Sequence, residues 1–502
     1  MWFRTWLLTV RNRLAEPRPV IMSRWLFLRL LGIVYLAAFV SLWVQVDGLI
    51  GSRGILPLER FLPAAYNAVG GEAYWRLPTL CWLLPGDPGM HALCGAGVFL
   101  SALLILGSAP GPMLVGLWAC YLSLTVAGQV FLGYQWDALL LETGFLAIFY
   151  APCRLWSWPA SERAPLPIMR WLLRWLLFRL MFTSGVAKLM SGDATWRDLT
   201  ALQYHYETQP LPTWTSWYLH QMPAWFQQLS VLLTFVLEIG VPVLLFAGRR
   251  CRHWGCFGIA FLQVLIALSG NYGYFNLLTI ALCVSQLDDN VFPGFMHARL
   301  LGPPRQDGPA RENPLRVLMI LLVAGTLFLL SLIPFLAATQ ITRHWPGWLE
   351  KTSQFAGSFQ LVNNYGLFAV MTRERPEIVI EGSNDGDNWR AYEFRWTPGD
   401  LTRRPEFVTP HMPRLDWQMW FAALGSFRDN PWFYHFLVRL MEGESEVLAL
   451  LEGNPFPERP PRFLRATLYR YHFTDAETRT RTGAWWHRER LGLYSPILSR
   501  KD

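Results

Sequence analysis

Four ionisable side chains stand inside otherwise apolar stretches of the sequence: Glu142, Arg179, Lys188 and Glu238. A charge at membrane depth is costly and as a rule faces a bundle interior or a water-filled cavity, so each of them marks a pairing or a reaction. Lys188 is the sharpest case, because the other two lysines of the chain, Lys351 and Lys501, lie far downstream. A lysine taken out of water gives up its proton more readily and then serves as a base or a covalent nucleophile. The bland reading of the same residue is a buried ion pair, or a long side chain reaching the headgroups. Arg179 and Glu238, both near mid-span on different helices, are placed so that they could pair. Arg179 and Lys188 are nine positions apart, about half a turn out of phase on a helix of ~3.6 residues per turn, so they face different surroundings.

After Lys188 comes a polar, aromatic, turn-rich connection that includes Trp196, Arg197, Asp198, His205, Tyr206 and Glu207. A zinc site built from His205, Glu207 and His220 is conceivable on residue type, but a histidine two positions from a glutamate is too loose a pattern to indicate one, and no metal is expected. HExxH, GxSxG, P-loop and dinucleotide-binding glycine motifs are all missing from the sequence.

The elements that position these residues follow from composition. Of 502 residues 52% are hydrophobic and only 16% charged, where a soluble globular chain carries ~25% charged residues. Runs of the ~20 apolar residues that a bilayer core requires lie before residue 340 and not after it. An ordinary soluble enzyme, a disordered chain and a disulfide scaffold are thereby excluded. The fold expected is a polytopic α-helical membrane protein of about nine transmembrane segments, 25–45, 91–108, 113–132, 136–151, 168–190, 225–247, 254–269, 272–287 and 316–338, followed by an α+β, β-sheet-containing extramembrane domain. The units are a cytoplasmic or interfacial segment over 1–24, a multi-helix membrane domain over 25–339 and an exported domain over 340–502. Trp2, Phe3, Trp6 and Leu7 suit a helix lying in the interface, or a solvated leader.

Charge orients this arrangement. The net charge is +8, and residues 340–502 hold 21 basic and 20 acidic side chains, so the excess belongs to the membrane half. It clusters at Arg4, Arg11, Arg13, Arg18 and Arg24, at Arg154, Arg163 and Arg170, at Arg249, Arg250 and Arg252, and at Arg299, Arg305 and Arg311. These are alternate short connections, the distribution that marks the cytoplasmic face and not a nucleic-acid-binding surface. An inside amino terminus and nine crossings put the tail outside. The tail has none of the seven cysteines, so it is expected to rest on its own core and not on disulfides. Glu377–Glu381, Trp389–Trp396 and Phe463–Phe473 read as strands, and Leu415–Phe427 and Trp432–Met441 as helices.

Longer strings carry a resemblance. Tyr134-Gln135-Trp136-Asp137-Ala138-Leu139-Leu140-Leu141-Glu142-Thr143-Gly144-Phe145-Leu146 resembles a signature of the lipase maturation factor family. Gly185-Val186-Ala187-Lys188-Leu189, Trp196-Arg197-Asp198-Leu199 and Tyr204-His205-Tyr206-Glu207-Thr208-Gln209-Pro210 resemble a second, and Asn364–Phe368, Arg373–Arg375 and Trp485-Trp486 extend the likeness into the tail. The membrane half of that family is similar to the horizontally transferred transmembrane (HTTM) domain of vitamin K-dependent γ-carboxylase. In that comparison Lys188 matches the carboxylase's active-site lysine.

The resemblance implies a membrane-anchored folding factor whose exported domain binds a secreted client, a lipase first of all. It implies the endoplasmic reticulum in eukaryotes and the inner membrane and periplasm in a bacterium. Asn364, Tyr365, Arg373, Arg375, Trp417 and Trp420, with Phe421, Trp432 and Phe433, are the client-contact candidates; the alternative is that the aromatics form the domain's own core. A second implied reading is a carboxylase-like membrane enzyme using Lys188, with a lipid or quinone in the bundle. No cofactor is expected under the first reading. A transporter fits less well, because no inverted repeat is evident.

Overall fold

In a bilayer, backbone polar groups must be satisfied within the segment, so apolar runs of this length fold as helices. A computed structural model describes residues 20–152, 154–159, 162, 164–300, 314–340 and 345–500. It has a helix on each of the nine expected segments: α1 (Ile21–Trp43), α2 (Gly86–Leu106), α3 (Pro110–Ala127), α4 (Gln135–Tyr150), α5 (Pro167–Met190), α6 (Ala224–Phe246), α7 (Arg249–Ser269), α8 (Phe275–Ser285) and α9 (Pro314–Ala338). Among the described residues six of these, α1, α2, α3, α6, α7 and α9, are long and apolar enough to cross a membrane. The other three fall short for visible reasons: α4 has 16 residues, α8 has 11, and α5 carries Arg170, Arg174, Arg179 and Lys188. The chain is a multi-pass helical membrane protein. Trp2, Phe3, Trp6 and Leu7 lie outside the described residues.

The two ends of the bundle differ. At one end the arginine-rich connections converge on Asp288, which receives Arg170 at 3.1 Å, Arg249 at 2.9 Å and Arg252 at 2.9 Å. The neighbouring Asp289 accepts the Ile21 and Ser23 backbone N–H groups, so a carboxylate caps the start of α1. At the opposite end lie the connections 44–85 and 191–223, and the tail packs on both. Arg439 donates to the Gly54 carbonyl at 2.9 Å and Trp217 to the Thr474 carbonyl at 2.9 Å.

The tail is built on an antiparallel sheet of β1 (Arg375–Ser383), β2 (Arg390–Tyr392), β3 (Phe463–Phe473), β4 (Trp486–Leu493) and β5 (Leu498–Ser499). Its order is β2-β1-β3-β4, with β5 also on β3, and β1 and β3 run in register from Arg375 opposite Tyr471 to Ser383 opposite Phe463. Helices α10 (Arg414–Ala423) and α11 (Pro431–Glu442) pack beside it. Two boundaries differ from expectation. The strand expected over Trp389–Trp396 ends at Tyr392, because the Trp396 and Thr397 N–H groups turn to the Asp416 carboxylate and the Phe394 carbonyl accepts from Arg403. The helix expected to reach Phe427 stops at Ala423, where Ser426 and Asp429 form a separate capped turn. Strand β4 and the helix Gly347–Ser358 have no counterpart in the sequence reading.

The larger correction concerns the tail's core. One hydrophobic cluster runs without a break from Phe27 and Leu31 in α1 to Trp417, Phe433, Phe436 and Leu464 in the tail. Charged bonds cross the same seam. Arg414 of α10, fully buried, makes a bidentate pair with Asp137 of α4, Nη1 to Oδ2 at 2.6 Å and Nη2 to Oδ1 at 2.8 Å, and the Tyr274 hydroxyl donates to the same carboxylate at 2.6 Å. Glu142 of α4 pairs with Arg179 of α5 and accepts from the Tyr365 hydroxyl at 2.8 Å and the Asn363 backbone at 3.0 Å. Arg375, also fully buried, donates to the carbonyls of Glu207, Gln209 and Pro210. The tail therefore does not rest on its own core alone; it is also docked by a shared apolar cluster and buried polar bonds onto the bundle.

Removing one partner of such a pair strands the other charge in a dry site, at a cost of ~3–5 kcal/mol, whereas exchanging both for apolar groups is close to neutral. Arg414→Met is accordingly expected to lower the melting temperature of the purified chain strongly, and Arg414→Met combined with Asp137→Leu to recover most of the loss. A single variant that melts like the parent chain contradicts the clamp.

Candidate functional site

Lys188 and Glu238 reach each other because α6 is irregular. Residues Val236–Gly240 form a π-turn, and Pro242, which lacks an N–H and crowds the carbonyl four residues before it, lies just beyond. The wider turn places Glu238 opposite α5. Such turns recur at functional sites. Lys188 Nζ donates to both Glu238 oxygens, at 2.9 and 2.8 Å, and to the Ser184 carbonyl at 3.3 Å, and it stands 5.4 Å from the Trp196 ring centre. The expected partner of Glu238 was Arg179. Arg179 instead turns to Glu142 on the opposite face of α5, as the half-turn offset between Arg179 and Lys188 requires.

The pair borders a cavity of about 530 Å³ between α5, α6, α7 and α8 and the short helices Ala201–Thr208 and Trp214–His220. That volume is in the range of small-molecule pockets, ~300–1,000 Å³. Its walls are mainly apolar, with Leu180, Met181, Leu233, Leu262, Leu265 and Phe275 among them; polar groups come from Ser184, Lys188, His205, Glu238, Gln263, Tyr272 and Asn276. His205 bonds the Tyr272 hydroxyl through Nε2 at 3.0 Å, and burial, together with the Lys188 charge, pushes its imidazole down to about 4.

The histidine–glutamate trio weighed as a metal site is taken apart. His205 faces the cavity, while Glu207 faces the tail, where it meets His472 at 2.8 Å, His220 at 3.4 Å and the Phe473 N–H at 3.0 Å. Among the described residues no group of three or more His, Cys, Asp or Glu side chains is arranged to hold a metal ion.

A hydrogen-bond inventory bears on the chemistry of Lys188. Its three ammonium protons are directed at the two Glu238 oxygens and the Ser184 carbonyl. The geometry is that of a neutralised pair at a cavity wall, with no Lys188 proton left for a further partner.

Comparison with known proteins bears on the whole chain. Residues 22–294 match the model of the lipase maturation factor transmembrane domain, and residues 361–496 that of the lipase maturation factor C-terminal domain. The chain belongs to the lipase maturation factor family. It is 38% identical to lipase maturation factor 2 of Gallus gallus over 97% of this chain and 83% of that protein, and 37% identical to the human lipase maturation factor 2 over 96% and 83%. Lipase maturation factor 1 of Bos taurus is 36% identical over 96% of this chain and 90% of its own length. No solved structure matches.

The residues that carry the family resemblance fall into two groups in space. Gln135, Trp136, Asp137 and Glu142 lie at the seam: Gln135 accepts the Gly366 N–H at 3.1 Å, Trp136 packs edge-on against Trp417 at 4.7 Å, and the two acids form the clamp described above. Trp196, His205 and Tyr206, together with Lys188 and Glu238, line the cavity. Glu207 ties the outer connection to β3, and Arg197 and Asp198 are exposed.

Of the client-contact candidates, Tyr365, Arg375, Trp417 and Trp420 are buried, as are Trp432 and Phe433. Tyr365, Arg375 and Trp420 bond to the bundle side, Trp420 through the Thr208 carbonyl at 2.8 Å, and Trp417 packs edge-on against Trp136 there, so these four secure the tail and offer no surface to a partner. Asn364, Arg373 and Phe421 remain exposed. Sequence reading missed Arg414, Tyr272 and Asn276; the one signal for Arg414 was a charge among the aromatic and apolar residues of Met412–Phe421.

His205 gives a pH-dependence with a definite sign. Its ordinary value is 6.5 and its folded value about 4, so between these the unfolded chain binds the additional proton. Stability from this residue is therefore complete above about 6.5 and lost as pH falls through about 4, by at most about 3 kcal/mol. His205→Phe is expected to be slightly less stable at pH 7.5 and to show a flatter decline of melting temperature between pH 6.5 and 4. Parallel declines in the two proteins contradict a buried neutral His205.

Proposed function

We propose that this chain is a membrane-anchored maturation factor for exported proteins, lipases first among them, and that the tail engages the client along the free edge of β4. The names of its relatives support the first part. The single observation that carries the second is the exposure of that strand: among the described residues β4 ends the sheet order and pairs only with β3, and it presents Leu491 and Leu493 outward. An edge strand offers unpaired backbone donors and acceptors, and an incompletely folded chain is a partner able to take them up as an added strand. His487, Glu489 and Arg490 along the same exposed strand fit a surface guarded by charge against unspecific pairing.

In this reading all nine helices cross the membrane, the amino terminus and the Asp288 arginine cluster face the cytoplasm, and the tail faces the periplasm or, in a eukaryote, the lumen of the endoplasmic reticulum. The alternation of arginine-rich connections supports that orientation. The alternative of a Lys188-based, carboxylase-like enzyme is less well supported, because every Lys188 proton already has an acceptor. Deleting the tail is a poor test, since it would expose the part of the shared core that the tail covers.

The direct test is Leu491→Asp with Leu493→Asp in the full chain, co-expressed with a secreted lipase. If each residue contributes as an interface side chain of ordinary importance, the yield of active lipase falls by about tenfold, with abundance and melting temperature of the variant unchanged. Unchanged lipase yield with the variant contradicts client binding at this edge.

A further inference from the structure

The cavity beside Lys188 has three features that together specify a ligand. The first is its access. Leu233 on α6, Leu265 and Leu268 on α7 and Tyr218 line it and are also exposed on the outer surface, which places its rim on the apolar flank of the bundle between two membrane-crossing helices. A molecule entering there comes from the lipid.

The second is charge. Lys188 and Glu238 neutralise one another, and each donor of the ammonium is used within the protein. An anionic headgroup would have to displace Glu238 and leave that carboxylate buried without a partner, at a heavy cost. The cavity therefore favours an uncharged ligand.

The third is a pair of unused acceptors. The Tyr272 hydroxyl gives its proton to Gln209 Oε1 at 2.8 Å, and that amide is fixed by donating from Nε2 to the Ser269 carbonyl at 2.7 Å and to the Tyr206 carbonyl at 3.2 Å. The Tyr272 oxygen is then an acceptor toward His205, so the imidazole proton sits on Nε2. His205 Nδ1 is left as a bare lone pair, buried and without a partner. Asn276, 1% exposed, donates from Nδ2 to Gln263 at 2.9 Å, and its Oδ1 is likewise buried without a partner. Unmet acceptors in an apolar site cost free energy that a hydroxyl donor recovers.

We propose that this cavity binds an uncharged, hydroxyl-bearing, single-chain glycerolipid of the monoacylglycerol class, taken from the membrane between α6 and α7, with its hydroxyls donating to His205 Nδ1 and Asn276 Oδ1. One chain suits a volume that holds one drug-sized molecule. The site is separate from the β4 edge, so it stands or falls independently of the client-binding reading.

The test uses the purified full chain in detergent and a diazirine-bearing monoacylglycerol, with the labelled peptides read by mass spectrometry. Labelling is expected on α6 and α7, competed by monoolein and not by oleate or phosphatidylglycerol, and monoolein is expected to raise the melting temperature. Thr234→Trp, which fills the cavity wall, should abolish the labelling. His205→Phe, which keeps the ring and removes the acceptor, should weaken monoolein competition by about tenfold, the worth of one hydrogen bond of ordinary strength.

Equal competition by oleate or phosphatidylglycerol overturns the proposal, as does labelling spread evenly over α1, α2, α3 and α9. A folded Thr234→Trp chain labelled like the parent also overturns it. Should Thr234→Trp fail to fold, the competition pattern and the monoolein-induced shift in the unsubstituted chain decide the matter.

Discussion

Burying a guanidinium and a carboxylate where no water reaches them is tolerable only while they hold each other, and the fold is organised around that requirement. Arg414 is delivered by the tail and Asp137 by α4, and each lacks any other full-strength counter-charge. The second clamp repeats the logic: Glu142 and Arg179 pair inside the bundle, and the tail supplies Tyr365 and Asn363 to complete their hydrogen bonding. The bundle cannot neutralise Asp137, nor the tail Arg414, without the other. The two parts recognised as family domains are on this view one cooperative body, and the tail's position over the connections 44–85 and 191–223 follows from it.

That dependence explains why so many aromatic residues of the tail are unavailable to a partner. Trp417 packs edge-on against Trp136, Trp420 bonds the Thr208 carbonyl, and Arg375 lies over Trp486 while holding three carbonyls of the connection 191–223. Surface for an external protein is what this docking leaves over, and the edge of β4 is part of it. The cavity at Lys188 is a by-product of the same packing. The connection that seats the tail also roofs the space between α5, α6 and α7 with Trp196, His205 and Tyr206.

What could be read in the sequence was whatever has a local pattern. Nine helices were legible because each lies on a largely apolar run, α5 despite its four basic residues, and β3 because Phe463–Phe473 is an aromatic-rich strand between turn residues. Strand β4 was not, since an exposed edge such as His487-Arg488-Glu489-Arg490 carries no hydrophobic period to detect. The clamp was invisible for another reason: Asp137 and Arg414 are 277 positions apart, and a long-range ion pair has no signature in either neighbourhood. Glu238 and Arg179 were correctly marked as costly, yet they were matched to each other wrongly, because helical phase fixed only which face Arg179 takes and not what stands opposite it. A π-turn placing Glu238 beside Lys188 lies beyond any 3.6-residue template.

The central claim is that bundle and tail unfold as one unit held by buried charge. Hydrogen–deuterium exchange of the full chain in nanodiscs, followed across a denaturant series, measures this directly. The account predicts that the amides of β3 and those of Ala201–Thr208 and the tail-facing half of α4 lose protection together, at one denaturant concentration. Loss of protection in β3 at a clearly lower concentration, with α4 still protected, would show an independently folding tail and contradict it.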